Sequence, residues 1–277
     1  MTELPDLDWL RLREPLDAAS HQAPLIAGFV ARLPQRPRLV EFGAGIGASF
    51  RLLAPAIGRA QAWTLVERDE AALGEAFEHI ALWAEARGCT VTWPGRALLV
   101  HTGSGAWRVE GRVDAPLDPT AALRGARADA VICSVAGWNA PGAWFAQLAD
   151  AVRIPVLLLM VPDGRQTWMP AHGADAAIRT GLRRMRDAGG ASDLAGILRP
   201  FRARGFALRV APADWRLRRT PPLLATALAH ATTLAAGVAL PSQRTRIAEW
   251  QEARLDQARR GRLAIRIGHR DILALPP

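Results

Sequence analysis

The feature that most constrains this chain is a glycine-rich turn between a strand and a helix. The short apolar run Arg38–Phe42 predicts a strand, which leads into Gly43-Ala-Gly45-Ile-Gly47 and then into a helical stretch over Ala48–Ile57. Glycines lack the side chains that would keep a ligand away from the backbone, and the new helix presents free N–H groups and the positive end of its dipole. The turn therefore predicts a site for a nucleotide or nucleoside cofactor.

Apolar runs and helical stretches alternate along the rest of the chain. Strands are predicted at 63–66, 97–101, 107–113, 128–133, 155–161, 206–210 and 263–267, and helices at 69–87, 141–152, 192–204, 222–236 and 242–260. Before the first strand, two or three short helices broken by Pro15 and Pro24 are predicted over 7–32. Strands separated by helices predict an α/β fold, with a mostly parallel sheet and helices on both faces.

Residues 1–277 are expected to form a single domain. Its parts are N-terminal helices at 1–37, a cofactor-binding core at 38–161, and a C-terminal part at 162–277 with a substrate-side loop, helices and the final strand. The apolar stretch at 221–240 is interrupted by threonines, a histidine and a glycine, so a buried helix is expected there and not a membrane span.

The positive charge of the chain comes entirely from arginine. Lys+Arg total 35 against 26 Asp+Glu, which gives a formal net charge of +9, and the sequence contains no lysine. Such a balance fits an anionic partner, but a GC-rich base composition produces the same bias. The arginines form no single basic tract, so neither a nucleic acid nor a membrane is expected as a partner. The first residues show no signal-peptide pattern, and a cytoplasmic location is expected.

Two ligands fit the glycine turn. The segment Gly43-x-Gly45-x-x-Ala48 also satisfies the relaxed dinucleotide fingerprint, so glycine spacing alone does not separate a dinucleotide from a nucleoside cofactor. Glu41 favours the nucleoside, because a carboxylate beside the turn suits an ammonium group and not a pyrophosphate. Glu67, at the end of the next strand, is placed to accept hydrogen bonds from ribose hydroxyls.

The reading Glu41-Phe-Gly43-Ala-Gly45-Ile-Gly47 resembles motif I of the class I S-adenosylmethionine-dependent methyltransferases, E/D-x-G-x-G-x-G. The resemblance implies the fold of that superfamily, a Rossmann-like, seven-stranded, mostly parallel sheet whose last strand is antiparallel, here with helices inserted before that strand. It also implies S-adenosyl-L-methionine as the cofactor. The segments at 163–172 and 267–276 are similar to those of a bacterial, mostly uncharacterised branch of the superfamily.

The resemblance extends to further site residues. Glu67 lies where the family has the acid that holds the ribose hydroxyls, Asp114 where an acid meets the adenine amine, and Ser134 at the fourth-strand exit that lines the methyl-transfer site. The fourth-strand exit usually carries an acidic residue, and this chain departs from that pattern. Trp138, Trp168 and His172 are candidate substrate residues, and His172 is also a candidate base.

Two functions from different classes follow. The first is a methyltransferase that acts on an unidentified small molecule by in-line transfer, and the second is a catalytically silent methyltransferase-like subunit that binds a partner. Methylation of nucleic acid is a third hypothesis, but it rests on charge alone. No catalytic triad, Cys/His pair or metal-ligand cluster is recognisable, so no catalytic residue and no metal are assigned.

Overall fold

The computed structural model describes residues 7–114, 118–134, 140–188 and 193–277. The helices in this part of the chain are α1 (Leu7–Ser20), α2 (Ala23–Val30), α3 (Ala48–Ile57), α4 (Glu70–Glu85), α5 (Pro119–Leu123), α6 (Gly142–Ala151), α7 (Asp175–Ala188), α8 (Leu194–Ala203), α9 (Pro222–Ala239) and α10 (Arg244–Arg259). The strands are β1 (Arg38–Phe42), β2 (Gln61–Glu67), β3 (Thr90–Thr92), β4 (Leu98–Thr102), β5 (Gly105–Val113), β6 (Ala130–Ser134), β7 (Val156–Met169), β8 (Ala207–Pro212), β9 (Trp215–Leu217) and β10 (Ala264–Leu275).

One sheet contains all of these strands, in the order β3-β4-β5-β2-β1-β6-β7-β10-β8, with β9 paired to β10. The central strands β5, β2, β1, β6 and β7 are parallel to one another. The last strand, β10, runs antiparallel between β7 and β8. The predicted fold class is confirmed. The described sheet exceeds the expected seven strands, because β3 and β4 extend one edge and β9 adds a short pairing on β10.

Alternating side chains of the central strands fill two apolar clusters on opposite faces of the sheet. On β1, Leu39 packs in the cluster that contains residues of α2, α3 and α4, whereas Val40 and Phe42 pack in the cluster beneath α6 and α8. This alternation is what a strand buried on both faces requires. Helices therefore cover both faces, as predicted.

The C-terminal part differs from its prediction. β7 continues to Met169 and pairs with β10 from Ala264 onward, so the predicted loop after residue 161 begins with strand up to Met169. The sequence analysis also did not predict α7. A third apolar cluster packs α7, α9 and α10 against this extended ribbon, with Trp168 and Trp250 among its buried residues.

The apolar stretch at 221–240 forms α9. By length and composition alone this helix would be able to cross a membrane. In the structure, its residues Leu224, Leu228 and Ala229 are buried in the third cluster, while Leu223 and Leu234 are exposed.

Candidate functional site

A cavity of about 440 Å³ lies at the carboxyl ends of the central strands, on the face covered by α1 and α3. Its walls include the loop after β1, Glu67 at the end of β2, Ser134 at the end of β6, and Leu159 and Met160 of β7. The carboxyl edge of a parallel sheet is where α/β proteins bind their ligands, and this volume is typical of a small-molecule site.

Two glycines of the loop after β1 line the cavity, and the third packs against the core. Gly43, Gly45 and Gly47 all have positive φ angles of 69°, 52° and 78°, which favour glycine. Gly43 and Gly45 line the cavity, and a Cβ on Gly45 would lie 3.5 Å from Leu10 of α1. A Cβ on Gly47 would instead lie 3.0 Å from Ile80 of α4. Gly47 is thus a packing residue, and the first two glycines shape the predicted ligand site.

Glu67 lines the cavity, as the ribose-binding prediction requires. Its Oε2 accepts a hydrogen bond from Gly45 N at 2.8 Å, and its Oε1 accepts one from Arg68 N at 2.8 Å. These bonds hold the carboxylate against the glycine loop. A carboxylate has about four lone-pair sites, so accepting capacity remains for ribose hydroxyls.

Asp114 directly follows β5, the hairpin strand that joins the sheet beside β2. Its backbone N–H donates to Glu67 O at 2.9 Å, so the two acids end neighbouring strands. Its side chain pairs with Arg112 at 3.2 Å and does not line the cavity. The adenine contact stays a prediction.

Glu41 is fully buried one layer below the cavity. Ser134 Oγ donates to Glu41 Oε1 at 3.1 Å and lies 2.5 Å from Ser49 Oγ, and both serines line the cavity. Glu41 Oε2 is buried with no hydrogen-bond partner among the described residues. Burial raises the pKa of the Glu41 carboxyl from 4.5 to about 7, against the opposing effect of the nearby hydroxyls of Ser49 and Ser134. The predicted contact with an ammonium group is therefore not direct in this structure, since Ser134 stands between.

Helix α1 presents a polar face to the cavity, which the sequence analysis did not identify. The residues on this face recur at helical spacing, and they are Leu10, Arg13, Glu14, Asp17, Ala18 and, just after the helix, His21. Asp17 accepts hydrogen bonds from Arg13 Nε and Trp215 Nε1, both at 2.8 Å. The spacing of Arg13, Asp17 and His21 is the sequence signal for this face, whereas the apolar residues of the segment predict only helices.

Arg51 of α3 connects this helix to the glycine loop. Its guanidinium donates to both carboxylate oxygens of Glu14, at 2.8 and 2.6 Å, and to Ile46 O at 2.7 Å. Such a forked pairing fixes geometry as well as charge. Arg51 therefore holds α1 in place above the predicted cofactor site.

The predicted substrate residues do not converge on the cavity. Trp168 is 5% exposed and belongs to the third apolar cluster, where its ring centroid lies 4.7 Å from that of Trp250. His172 N donates to Asp175 Oδ2 at 2.9 Å and His172 Nδ1 accepts from Ala174 N, so this residue caps α7. Neither Trp168 nor His172 lines the cavity, because β7 continues past it before these residues are reached, and their role in substrate binding stays a prediction. Trp138 lies outside the described residues.

Comparison with known proteins gives similarity of fold only. No family model and no curated protein match the sequence. The structure is similar to YjhP from E. coli, with 14% identity, a TM-score of 0.46, and coverage of 96% of this chain and 100% of that chain. It is also similar to S-adenosylmethionine-dependent methyltransferases from Geobacter sulfurreducens (15% identity, TM-score 0.45, 96% and 98% covered) and Thiobacillus denitrificans (14%, 0.44, 95% and 97%), both in complex with S-adenosyl-L-homocysteine. Identities and TM-scores this low do not by themselves assign a family to this chain.

Proposed function

We propose that this protein is an S-adenosylmethionine-dependent methyltransferase that acts on a small molecule. The observation that carries the proposal is the cavity in which the Gly43–Gly45 backbone, Glu67 and Ser134 meet beneath α1. The cavity is of small-molecule size, which favours a metabolite over a macromolecule as the acceptor.

The residues present fit this cofactor. Gly45 leaves open the space that a Cβ would fill between the loop and Leu10, and Glu67 at the cavity wall has the chemistry to hold ribose hydroxyls. Glu41 Oε2 is a buried acceptor without a partner among the described residues, and a carboxylate behind Ser134 at the cavity wall suits a cofactor that carries a positively charged amino group. A dinucleotide would instead bring its negatively charged pyrophosphate towards the carboxylates of Glu41 and Glu67, which would repel it.

Methyl transfer from this cofactor depends more on how the protein positions the acceptor than on reactive side chains. When bound, the cofactor supplies a methyl group on a positively charged sulfur, which is activated without help from the protein. The chain's own part is to hold the acceptor in line with that methyl group and to exclude water. The α1 helix covers the site and thereby excludes water, and the hydrogen bonds from Arg51 of α3 to Glu14 hold this helix in place.

Calorimetry with S-adenosylmethionine and S-adenosylhomocysteine tests the cofactor assignment. We expect saturable binding to the native protein and its loss in Gly45→Arg, whose side chain would fill the cavity, and in Glu67→Ala. Gly74→Arg is the matched control, because a Cβ on this exposed α4 glycine meets no atom within 4 Å. Absence of binding to the native protein, or binding of NAD in place of both compounds, would overturn the proposal.

The silent-subunit hypothesis is tested separately. Radiolabelled methyl transfer from S-adenosylmethionine to a small-molecule cell extract distinguishes an enzyme from a binding subunit. We expect a labelled product with the native protein and none with Gly45→Arg. Cofactor binding without any labelled product would favour the silent subunit.

A further inference from the structure

A buried histidine–aspartate pair lies at the wall of the cavity. His21 Nδ1 is 2.7 Å from Asp271 Oδ2, and the two side chains are 5% and 0% exposed. They are 250 residues apart in the chain. A carboxylate accepts hydrogen bonds, so Nδ1 is the nitrogen of His21 that donates to Asp271. His21 Nε2 is the other ring nitrogen, and it has no hydrogen-bond partner among the described residues, while His21 itself lines the cavity.

An irregularity of the sheet holds Asp271 in place. β10 pairs with β7 through Arg270 with Val161 and Ile272 with Leu158, so two residues of β7, Leu159 and Met160, lie opposite the single residue Asp271. Met160 has a φ of 55°, which is strained for this residue type, and its N–H donates to Asp271 Oδ1 at 2.9 Å. A β-bulge changes the direction in which nearby side chains point, and here it directs Asp271 towards its partners. Both oxygens of Asp271 therefore have fixed partners.

The pair lies on the acceptor side of the cavity. Ser134, at the predicted methyl-transfer wall, is paired in register with Leu159, and the neighbouring Met160 holds Asp271. The ribose-binding candidate Glu67 is at the end of β2, on the other side of β1 from β6. His21 therefore borders the space beyond the predicted cofactor and not the cofactor's ribose.

We infer that His21 is the general base of the reaction, with Asp271 as its positioning residue, and that the acceptor is a protic group, a hydroxyl or an amine. This inference rests on the proposed function. In the transfer, the acceptor oxygen or nitrogen forms a bond to the methyl carbon, the carbon–sulfur bond breaks with its electron pair going to sulfur, and the acceptor proton moves to His21 Nε2. Asp271 then faces a positively charged imidazolium.

The other charged groups near His21 are already paired. On α1, Arg13 pairs with Asp17 and Glu14 pairs with Arg51 of α3, and behind the pair Asp214 binds Arg165 and Arg266. Among the described residues, Asp271 on β10 is the carboxylate in contact with the imidazole.

Two variants test the base, and one matched variant controls for the loss of a histidine. His21→Gln removes the base. In Asp271→Asn the amide is expected to donate to Nδ1 and so to place the ring proton on Nε2, where it blocks proton abstraction. We expect each to lower transfer to a protic acceptor in the extract by about 10²- to 10⁴-fold. His79→Gln removes a comparable histidine–carboxylate pair, with Glu75 at 3.2 Å on α4, and is expected to leave the rate unchanged.

Further readouts separate catalysis from folding and from the proposed function. S-adenosylhomocysteine should bind both variants as it binds the native protein, and the acid limb of the pH–rate profile should disappear in His21→Gln. Nitrogen NMR of ¹⁵N-histidine-labelled protein without cofactor should show the proton on Nδ1 of His21 and its transfer to Nε2 in Asp271→Asn.

The inference fails if the rate falls less than tenfold, if the acid limb persists in His21→Gln, or if Nδ1 carries no proton in the native protein. It also fails if mass spectrometry places the methyl group on sulfur or on a carboxylate, or if the native protein binds cofactor and labels no compound. Failure of the native protein to bind S-adenosylhomocysteine refutes the proposed function as well, and the binding measurement thus distinguishes the two failures.

Discussion

Replacement of the buried acid Glu41 by glutamine changes how the stability of the protein depends on pH. The pKa of Glu41 rises from 4.5 to about 7 on folding because the carboxyl is fully buried. The folded protein therefore binds this proton more tightly than the unfolded chain does. The resulting stabilisation is fully present below pH 4.5 and is lost as the pH rises through 7. Glu41→Gln has no proton to lose and is expected to lack this dependence.

The magnitude follows from the two pKa values. A shift from 4.5 to about 7 changes the free energy of unfolding by about 2 to 3 kcal/mol between pH 5 and pH 8.5. The glutamine amide would also occupy the position of Oε2, which has no partner, and an unsatisfied buried donor costs about 1 to 3 kcal/mol at every pH. The informative quantity is thus the change of the native–variant difference with pH, and not its value at one pH.

Urea denaturation of both proteins from pH 5 to pH 8.5 measures this change. The free energy of unfolding of the native protein relative to that of the variant should fall by about 2 to 3 kcal/mol over the range. His269, whose pKa burial lowers to about 4, titrates in both proteins and cancels in the difference. Glu78→Gln, at an exposed position of α4, is the control and should give a curve parallel to that of the native protein. Parallel curves for Glu41→Gln would refute the reasoning.

Three further variants test the packing around the cavity. Arg51→Ala removes three hydrogen bonds to Glu14 and Ile46, so the free energy of opening of α1, measured by amide hydrogen exchange, should fall by about 1 to 3 kcal/mol. Unchanged exchange would contradict the role given to Arg51. Phe50→Ala should lower the free energy of unfolding by about 3 to 5 kcal/mol in urea, because this fully buried ring contacts Trp63, Trp83 and Trp107; a loss below 1 kcal/mol would show that the site collapses freely. Asp69→Ala removes the cap of α4, which accepts from Ala71 N and Ala72 N, and should cost about 1 kcal/mol in the same assay, whereas no change would mean that water caps the helix equally well.

The sequence predicted the cofactor half of the fold closely, because local signals there agree with tertiary structure. β1 and α3 have the predicted bounds, since an apolar run and a helical stretch meet at glycines with positive φ. Asp69 caps α4 through its side chain, which accepts from Ala71 N and Ala72 N. In this region each element is specified by residues next to it in the chain.

The acceptor half was not predictable in the same way, because its contacts are distant in sequence. The outer part of β7 is polar between Asp163 and Thr167 and becomes a strand only by pairing with β10. α7 is rich in arginine, and its buried residues are Ala177, Ile178 and Gly181, so few large apolar side chains mark it in the sequence. His21 has no motif around it, and its partner Asp271 is brought to it only by the sheet.

The position of β10 also has a consequence for the order in which the chain folds during synthesis. β10 lies between β7 and β8, and it provides all of the described sheet pairing of β8 and β9. Because a chain is synthesised from its N-terminus, the edges of β8 and β9 stay unpaired until β10 has been made, which exposes them to association with other chains. The cofactor half has its strands and helices much earlier. A nascent chain can therefore form the glycine-loop wall of the cavity before it has any residue that can hold His21.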